Sequence, residues 1–274
     1  MRQPSLDQAV AMCTAALSAS PAGLFADFDG TLSPVASKPD EAYLAPGGGE
    51  ALSALLNSLD TVMIVTGRSA RDASKRIGVP GLSVVGNHGL ELMMDDQLTI
   101  NPAAIDQIAA INASTAAIER AASDFPFFDA LVIENKQLSA SVHYRLAPDV
   151  DAAYSAIRPI VASLADEHNL VLTEGKLVIE LRPRLAVNKG TAVKQVIDQR
   201  GLRGAVMLGD DVTDVDAFLT VRRAREEGMS GVAVAVLSPE THQSVLDTAD
   251  VFLHGVDDTV RLLQALAGSA TAIC

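Results

Sequence analysis

Six short apolar runs set the frame for this chain: 22–27, 61–66, 82–86, 204–208, 231–236 and 250–253. None shows the in–out alternation of a half-wet strand. Such runs read as strands buried on both faces, the mark of a parallel sheet covered by helices. Helical patterns lie between most of them. Leu52, Leu55, Leu56 and Leu59 fall at i, i+3, i+4 and i+7; Ser69 with Asp72 makes a capping pair after Arg68; Val193, Val196 and Ile197 mark a helix after Lys189. The expected fold class is α/β, an open Rossmann-like parallel sheet with helices on both faces.

The middle of the chain has another rhythm. Asn101-Pro102 reads as an N-cap with proline at the first helical position, opening a helix to about Ser123. Strands follow at about 130–135 and 138–146. The second alternates, with Leu138, Ala140, Val142, Tyr144 and Leu146 on one face and Ser139, Ser141, His143 and Arg145 on the other. A helix over about 149–167 should be kinked or broken by Pro159. Strands at 170–173 and 177–182, joined by Glu174-Gly175-Lys176, complete an αββαββ unit. We therefore expect a core from 1–100 and 186–274, with a small α+β domain inserted at 101–185.

The first apolar run ends in Asp27-Phe28-Asp29-Gly30-Thr31. Side chains alternate along a strand, so Asp27 and Asp29 lean to one side where it runs out. Two carboxylates that close repel each other unless a cation sits beside them. The run suggests a Mg²⁺ site with a nucleophilic carboxylate and an acid/base partner; the plain alternative is a strand end with an Asp-rich turn. Open α/β sheets bind ligands beyond the carboxyl ends of their strands. Thr66 and Asp210 also end apolar runs and Lys189 opens a helix, so one crevice can gather all of them.

Three further segments follow in order: Val65-Thr66-Gly67-Arg68, Asn188-Lys189-Gly190 and Gly209-Asp210-Asp211-Val212-Thr213-Asp214. With the first, they resemble the haloacid-dehalogenase superfamily of phosphatases. Gly86-Asn87-His88-Gly89, Val142-His143-Tyr144-Arg145, Glu180-Leu181-Arg182-Pro183 and the form of the Gly-Asp-Asp-x-Thr-Asp segment resemble its trehalose-6-phosphate phosphatase family, from about Gly23 to about Phe252. The resemblance implies that Asp27 attacks phosphorus and that Asp29 protonates the departing sugar oxygen, then activates water. It implies that Mg²⁺ is held by the Asp27 carboxylate, the Asp29 carbonyl and Asp210, with Asp211 and Asp214 orienting the cluster. It also implies that Thr66 and Lys189 support the phosphoryl group. Gly67, Arg68, Asn87, His88 and Gly89 are the expected substrate loops; Arg68 has a surface salt bridge as its alternative, His88 an ordinary loop hydrogen bond. The inserted domain matches the family's cap. There Glu134, Lys136, Arg145 and Glu180 match residues the family uses on sugar hydroxyls, with an ordinary wet sheet face as the alternative. His143 shares their signature. Glu174 and Lys176, in the hairpin turn, either reach the substrate or are solvated. The family often carries Glu after the last aspartate segment; here Val215 stands there, with Asp216 next.

Composition bounds the function. With 49% hydrophobic and 20% charged residues in 274, the chain is globular. A formal charge of −13 makes nucleic acid and anionic membranes poor partners, so a phosphate site must be locally basic. No apolar run approaches the ~20 residues that span a bilayer. Aromatics are 4% and tryptophan is absent, so a sugar should be held by hydrogen bonds. Cys13 and Cys274 make neither a disulfide framework nor a metal spacing, which fits a reducing, cytoplasmic setting. Residues 8–19 behind Arg2 have the look of a weak leader, but Asp7 and Gln8 interrupt it and the pattern suits a short helix. The resemblance implies hydrolysis of trehalose 6-phosphate, with association with a trehalose-6-phosphate synthase as a further expectation. Rival readings are a phosphatase of sucrose 6-phosphate or mannosyl-3-phosphoglycerate, and a silent sugar-phosphate-binding regulator. A receiver-type domain also gathers aspartates, but needs neither the insert nor Asp29.

Overall fold

The computed structural model describes residues 5–271; Arg2 and Cys274 lie outside the described residues. The chain divides into two compact units, one made of the residues up to Thr99 and from Val187 on, the other of Ile100–Ala186.

The first unit opens with helix α1 (Leu6–Leu17), capped by Ser5, which buries Ala9, Cys13 and Ala16. Strand β1 (Ala22–Ala26), α2 (Gly48–Leu56), β2 (Thr61–Val65), α3 (Ala70–Ile77) and β3 (Ser83–Gly86) follow. A hairpin of β4 (Glu91–Met94) and β5 (Gln97–Ile100) turns through Asp95 and Asp96, both at positive φ. The second unit contributes α4 (Pro102–Ile105), α5 (Ile108–Ala122), β6 (Val132–Asn135), β7 (Ala140–His143), α6 (Val150–Glu167), β8 (Leu170–Gly175) and β9 (Val178–Pro183). The chain then returns to the first unit with α7 (Lys189–Arg200), β10 (Gly204–Gly209), α8 (Val215–Glu226), β11 (Ser230–Leu237), α9 (Gln243–Thr248), β12 (Val251–His254) and α10 (Gly255–Thr271).

The first unit's sheet runs β12-β11-β10-β1-β2-β3-β4-β5. All pairs from β12 to β3 are parallel, and β4 pairs antiparallel with β3. Alternate residues of one strand feed two cores. Leu24, Ile64, Val206 and Val234 pack with α1, α2, α3 and α10, while Phe25, Met63, Met207 and Ala233 pack with α7, α8 and α9. Each large apolar side chain so buried is worth about 1.5–3 kcal/mol, which makes this sheet a rigid base for the loops at its carboxyl end.

In the second unit an antiparallel sheet, β6-β7-β9-β8, carries α5 and α6 on its apolar face. The order is αββαββ, with four departures from expectation. The helix begun at Asn101 is broken into α4 and α5 at Asp106-Gln107. Strand β7 is only four residues long, and Leu146, expected in line with Val142, is 41% exposed beyond its end. Before β6, Phe128–Ala130 form a 3-10 turn rather than the start of a strand. Pro159 does not break α6, because it sits on the exposed face while Ile157 and Val161 anchor the helix on the core side. The carbonyl it leaves unbonded therefore faces water.

Candidate active site

The first strand delivers Asp27 where its ladder with β10 ends: the Asp27 N–H donates to the Leu208 carbonyl at 2.9 Å. Lys189 arrives on the first residue of α7. Asn188 caps that helix, accepting from the Thr191 N–H at 2.8 Å, and Thr191 Oγ1 accepts in return from the Asn188 N–H at 2.9 Å. A cation at a helix N-terminus is opposed by the helix dipole. Here two carboxylates outweigh it: Lys189 Nζ donates to Asp214 Oδ1 at 2.7 Å and lies 3.0 Å from Asp27 Oδ1. Burial pulls the Lys189 ammonium down, and Asp214 with Asp27 more than reverses this, so its pKa ends above the ordinary lysine value.

Asp214 does two jobs. Its second oxygen accepts from the backbone N–H groups of Asp210 and Asp211, both at 3.0 Å, which folds the loop after β10 around it. Asp210 takes the Thr31 hydroxyl at 3.2 Å. Gly30, at φ 80°, lies so close that a Cβ would run into the Asp210 carboxylate, so only glycine fits. Asp211 caps the short turn Val212–Asp214.

Asp27, Asp210 and Asp214 offer oxygens within 4.8 Å of one another. Three buried carboxylates this close repel one another. Burial pushes the Asp27 carboxyl well up; Lys189 opposes that, and Asp214, Asp210 and Asp29 add to it. A divalent cation offsets such repulsion, so the donor set fits Mg²⁺.

Asp29 is held elsewhere. Arg68 grips it with both arms of its fork, Nε to Oδ2 at 2.7 Å and Nη2 to Oδ1 at 2.8 Å. Arg68, expected on substrate, thus has a carboxylate as its resting partner. Desolvation lowers the Arg68 pKa, and Asp29 and Asp72 more than offset this, leaving it above its ordinary value.

Thr66 follows β2 and is buried; its Oγ1 accepts from the Arg68 N–H at 3.2 Å. The next loop is stitched to this one, with the Asn87 N–H on the Arg68 carbonyl at 2.7 Å and the His88 N–H on the Thr66 carbonyl at 2.9 Å. Asn87 and His88 stand at φ 44° and 56°, a left-handed pair costing about 1–3 kcal/mol each. Glu91 helps to hold them: its Oε1 accepts from Asn87 Nδ2 and, at 3.2 Å, from the Ala70 N–H. Nothing in the sequence marked Glu91 as more than a neighbour of the His-Gly segment. The space a Cβ would need on Gly67 is taken by the His88 imidazole, and Gly89 is packed against Val187 and Asn188.

On the polar face of the second unit's sheet several side chains bond one another. Glu180, 7% exposed, accepts from Lys136 Nζ at 3.0 Å, Ser139 Oγ at 3.0 Å and Ser141 Oγ at 3.2 Å. His143 Nε2 lies 2.8 Å from Glu134 Oε2. Arg145, past the end of β7, donates to the Lys176 carbonyl at 3.2 Å. Glu174 binds Arg158 at 2.8 Å and the Tyr154 hydroxyl at 3.1 Å, tying the hairpin to α6. The pair of serine donors on Glu180 was not anticipated, although the alternation of Ser139 and Ser141 on one face was the signal.

A profile of the trehalose-phosphatase family matches residues 25–256. A curated trehalose-phosphate phosphatase of Mycobacterium tuberculosis is 33% identical over 270 residues, covering 95% of this chain and 64% of that protein. The chain thus spans less than two thirds of that relative's length. The crystal structure of a trehalose-6-phosphate phosphatase related protein superposes with a TM-score of 0.77 at 26% identity, covering 92% of this chain and 100% of that one. The C-terminal domain of Candida albicans trehalose-6-phosphate phosphatase shares the fold, with a TM-score of 0.80 at 22% identity over 97% of this chain and 98% of that one. No helix among the described residues is long and apolar enough to cross a membrane.

Proposed function

The chain belongs to the trehalose-phosphatase family of the haloacid-dehalogenase superfamily, and from that premise we propose that it hydrolyses trehalose 6-phosphate to trehalose and inorganic phosphate. The observation that carries this reading is the buried Lys189 bridging Asp27 and Asp214, with Asp210 in the same cluster.

Asp27 and Asp210, with the Asp29 carbonyl, would hold Mg²⁺, which supplies the charge neutralisation that two anions need in order to meet. Asp27 attacks phosphorus; its Oδ–P bond forms as the bond to the sugar oxygen breaks. Lys189 favours the Asp27 anion against its burial and neighbours the charge that builds on phosphorus. Thr66 Oγ1 uses a lone pair on the Arg68 N–H, so its own proton is directed to a phosphoryl oxygen. Asp29 takes up a proton on a lone pair that Arg68 leaves unused, gives it to the leaving sugar oxygen, then takes one back from the water that cleaves the aspartyl-phosphate. Asp211 and Asp214 shape the loop that presents Asp210. Among the neighbouring loops, Asn87, His88 and the Gly67 and Gly89 backbone border the phosphate. Glu134, Lys136, His143, Arg145 and Glu180 are the set we assign to sugar hydroxyls. The 100–186 unit is then the specificity domain. A physical association with a synthase is a further reading that this chemistry permits but does not need.

Phosphate release from trehalose 6-phosphate, sucrose 6-phosphate and mannosyl-3-phosphoglycerate, with and without Mg²⁺, tests the proposal. We expect trehalose 6-phosphate to be preferred and activity to vanish on chelation and return with Mg²⁺. Full activity after thorough chelation contradicts the metal. Tight binding of trehalose 6-phosphate without release from any ester points to a regulator instead.

A further inference from the structure

We propose that Asp72 and Arg76, one and two turns along α3, are positioning residues for Asp29 and act through Arg68. The inference rests on the functional reading above, in which Asp29 moves the proton.

The Asp29 side chain is 39% exposed, against 7% for Asp27 and none for Asp214. A carboxylate so open to water has several rotamers within reach, and a proton donor must occupy one of them. Arg68 selects it, because a planar two-pronged grip fixes both the position and the plane of the carboxylate. That grip is only as firm as Arg68 itself. Its guanidinium stands 5.6 Å over the Phe28 ring, and its third nitrogen, Nη1, donates to Asp72 Oδ2 at 2.8 Å. The same Asp72 oxygen takes Arg76 Nε at 2.8 Å. Arg76 Nη1 in turn reaches the carbonyls of Asp40 at 2.8 Å and Ala42 at 3.1 Å. One line of alternating charge therefore runs from Asp29 through Arg68, Asp72 and Arg76 to the backbone at 40–42. Burial alone would raise the Asp72 pKa, and the bonds from Arg76 and Arg68 bring it below its ordinary value, so this link stays anionic at neutral pH.

Helix capping does not account for the Asp72 carboxylate. The cap uses the Asp72 backbone N–H, which donates to Ser69 Oγ at 3.3 Å. Asp72→Asn keeps that bond and changes only the link to the two arginines.

The test measures the first phosphoryl transfer by rapid quench on the full chain, with trehalose 6-phosphate and with p-nitrophenyl phosphate, whose leaving group departs without a proton. Asp72→Asn should slow transfer from trehalose 6-phosphate about tenfold, a fraction of what a general acid supplies, and alter transfer from p-nitrophenyl phosphate less than about twofold. Inhibition by inorganic phosphate should not change. Arg76→Gln should act in the same direction and more weakly. Asp72→Asn added to Arg68→Lys should slow the reaction little further, since both act on one grip. Equal slowing on the two substrates, weaker inhibition by phosphate, or additive losses would overturn the positioning role and return Arg68 to the phosphoryl group. A wild-type chain that turns over no ester would overturn the functional reading, and this inference with it.

Discussion

Both units bring charged side chains together, and they do so in different ways. In the first, three buried carboxylates, Asp27, Asp210 and Asp214, are crowded into one cluster, with the Lys189 ammonium bound to two of them. In the second, Glu180 accepts from Lys136, Ser139 and Ser141, and Glu134 lies against His143. Crowded carboxylates are what a cation requires. The second set suits a ligand that offers hydroxyls, because one hydrogen bond can be traded for another. Crowded carboxylates therefore mark where the chemistry is proposed, and hydrogen-bonded pairs mark where recognition is proposed.

The largest effect should come from Asp27→Asn. An amide neither attacks phosphorus nor ligates a metal well, so turnover should fall to background, by about 10⁴-fold or more. Because the native site disfavours the Asp27 anion, metal-free stability should hold or rise, and thermal melts read this beside the kinetics. A large loss of stability would mean that the cluster is structural glue rather than a poised site.

Lys189→Met sharpens the same contrast. The change leaves the carboxylates without their buried cation, so it should destabilise by about 3–5 kcal/mol in urea titrations, as breaking a buried pair does. A neutral result would show that the cluster neutralises itself by taking up protons.

In the second unit the effects should be smaller and should separate. Glu180→Ala removes the acceptor that three side chains share, costing about 1–3 kcal/mol for each donor left unsatisfied. It should therefore lower stability together with kcat/KM for trehalose 6-phosphate. Arg145 donates to the Lys176 carbonyl. Arg145→Ala should cut kcat/KM for trehalose 6-phosphate roughly tenfold, with little change in turnover of p-nitrophenyl phosphate. Equal losses on both substrates would erase the division of labour. No loss on either would make the polar face ordinary surface.

The parallel strands were legible because burial on both faces leaves an unbroken apolar run. The β4–β5 hairpin was not: Gln97–Ile100 is half-exposed, and its Asp95-Asp96 turn lacks the glycine that signals a hairpin. That α6 runs on through Pro159 was not legible, because a sequence does not say which side of a helix faces water. At the site, Asp27, Lys189, Asp210 and Asp214 were legible through the order of their segments. The partner of Arg68 was not, since Asp29 lies 39 residues away and only the pairing of β1 with β2 brings their loops together. The Arg68, Asp72 and Arg76 spacing of four suits a helical ion ladder, but it was not read as one, and nothing in it points to Asp29.

The central claim is that the carboxylate cluster around Lys189 makes Asp27 a nucleophile toward phosphorus. Chain mixed with Mg²⁺ and trehalose 6-phosphate labelled in the phosphoryl group, quenched in acid within the first turnover and mapped by peptide mass spectrometry, tests it directly. The account predicts label on the peptide carrying Asp27, as an acid-stable, base-labile acyl phosphate, and none in Asp27→Asn. Phosphate released at the same rate with no label on that peptide, or with label on another residue, would contradict it.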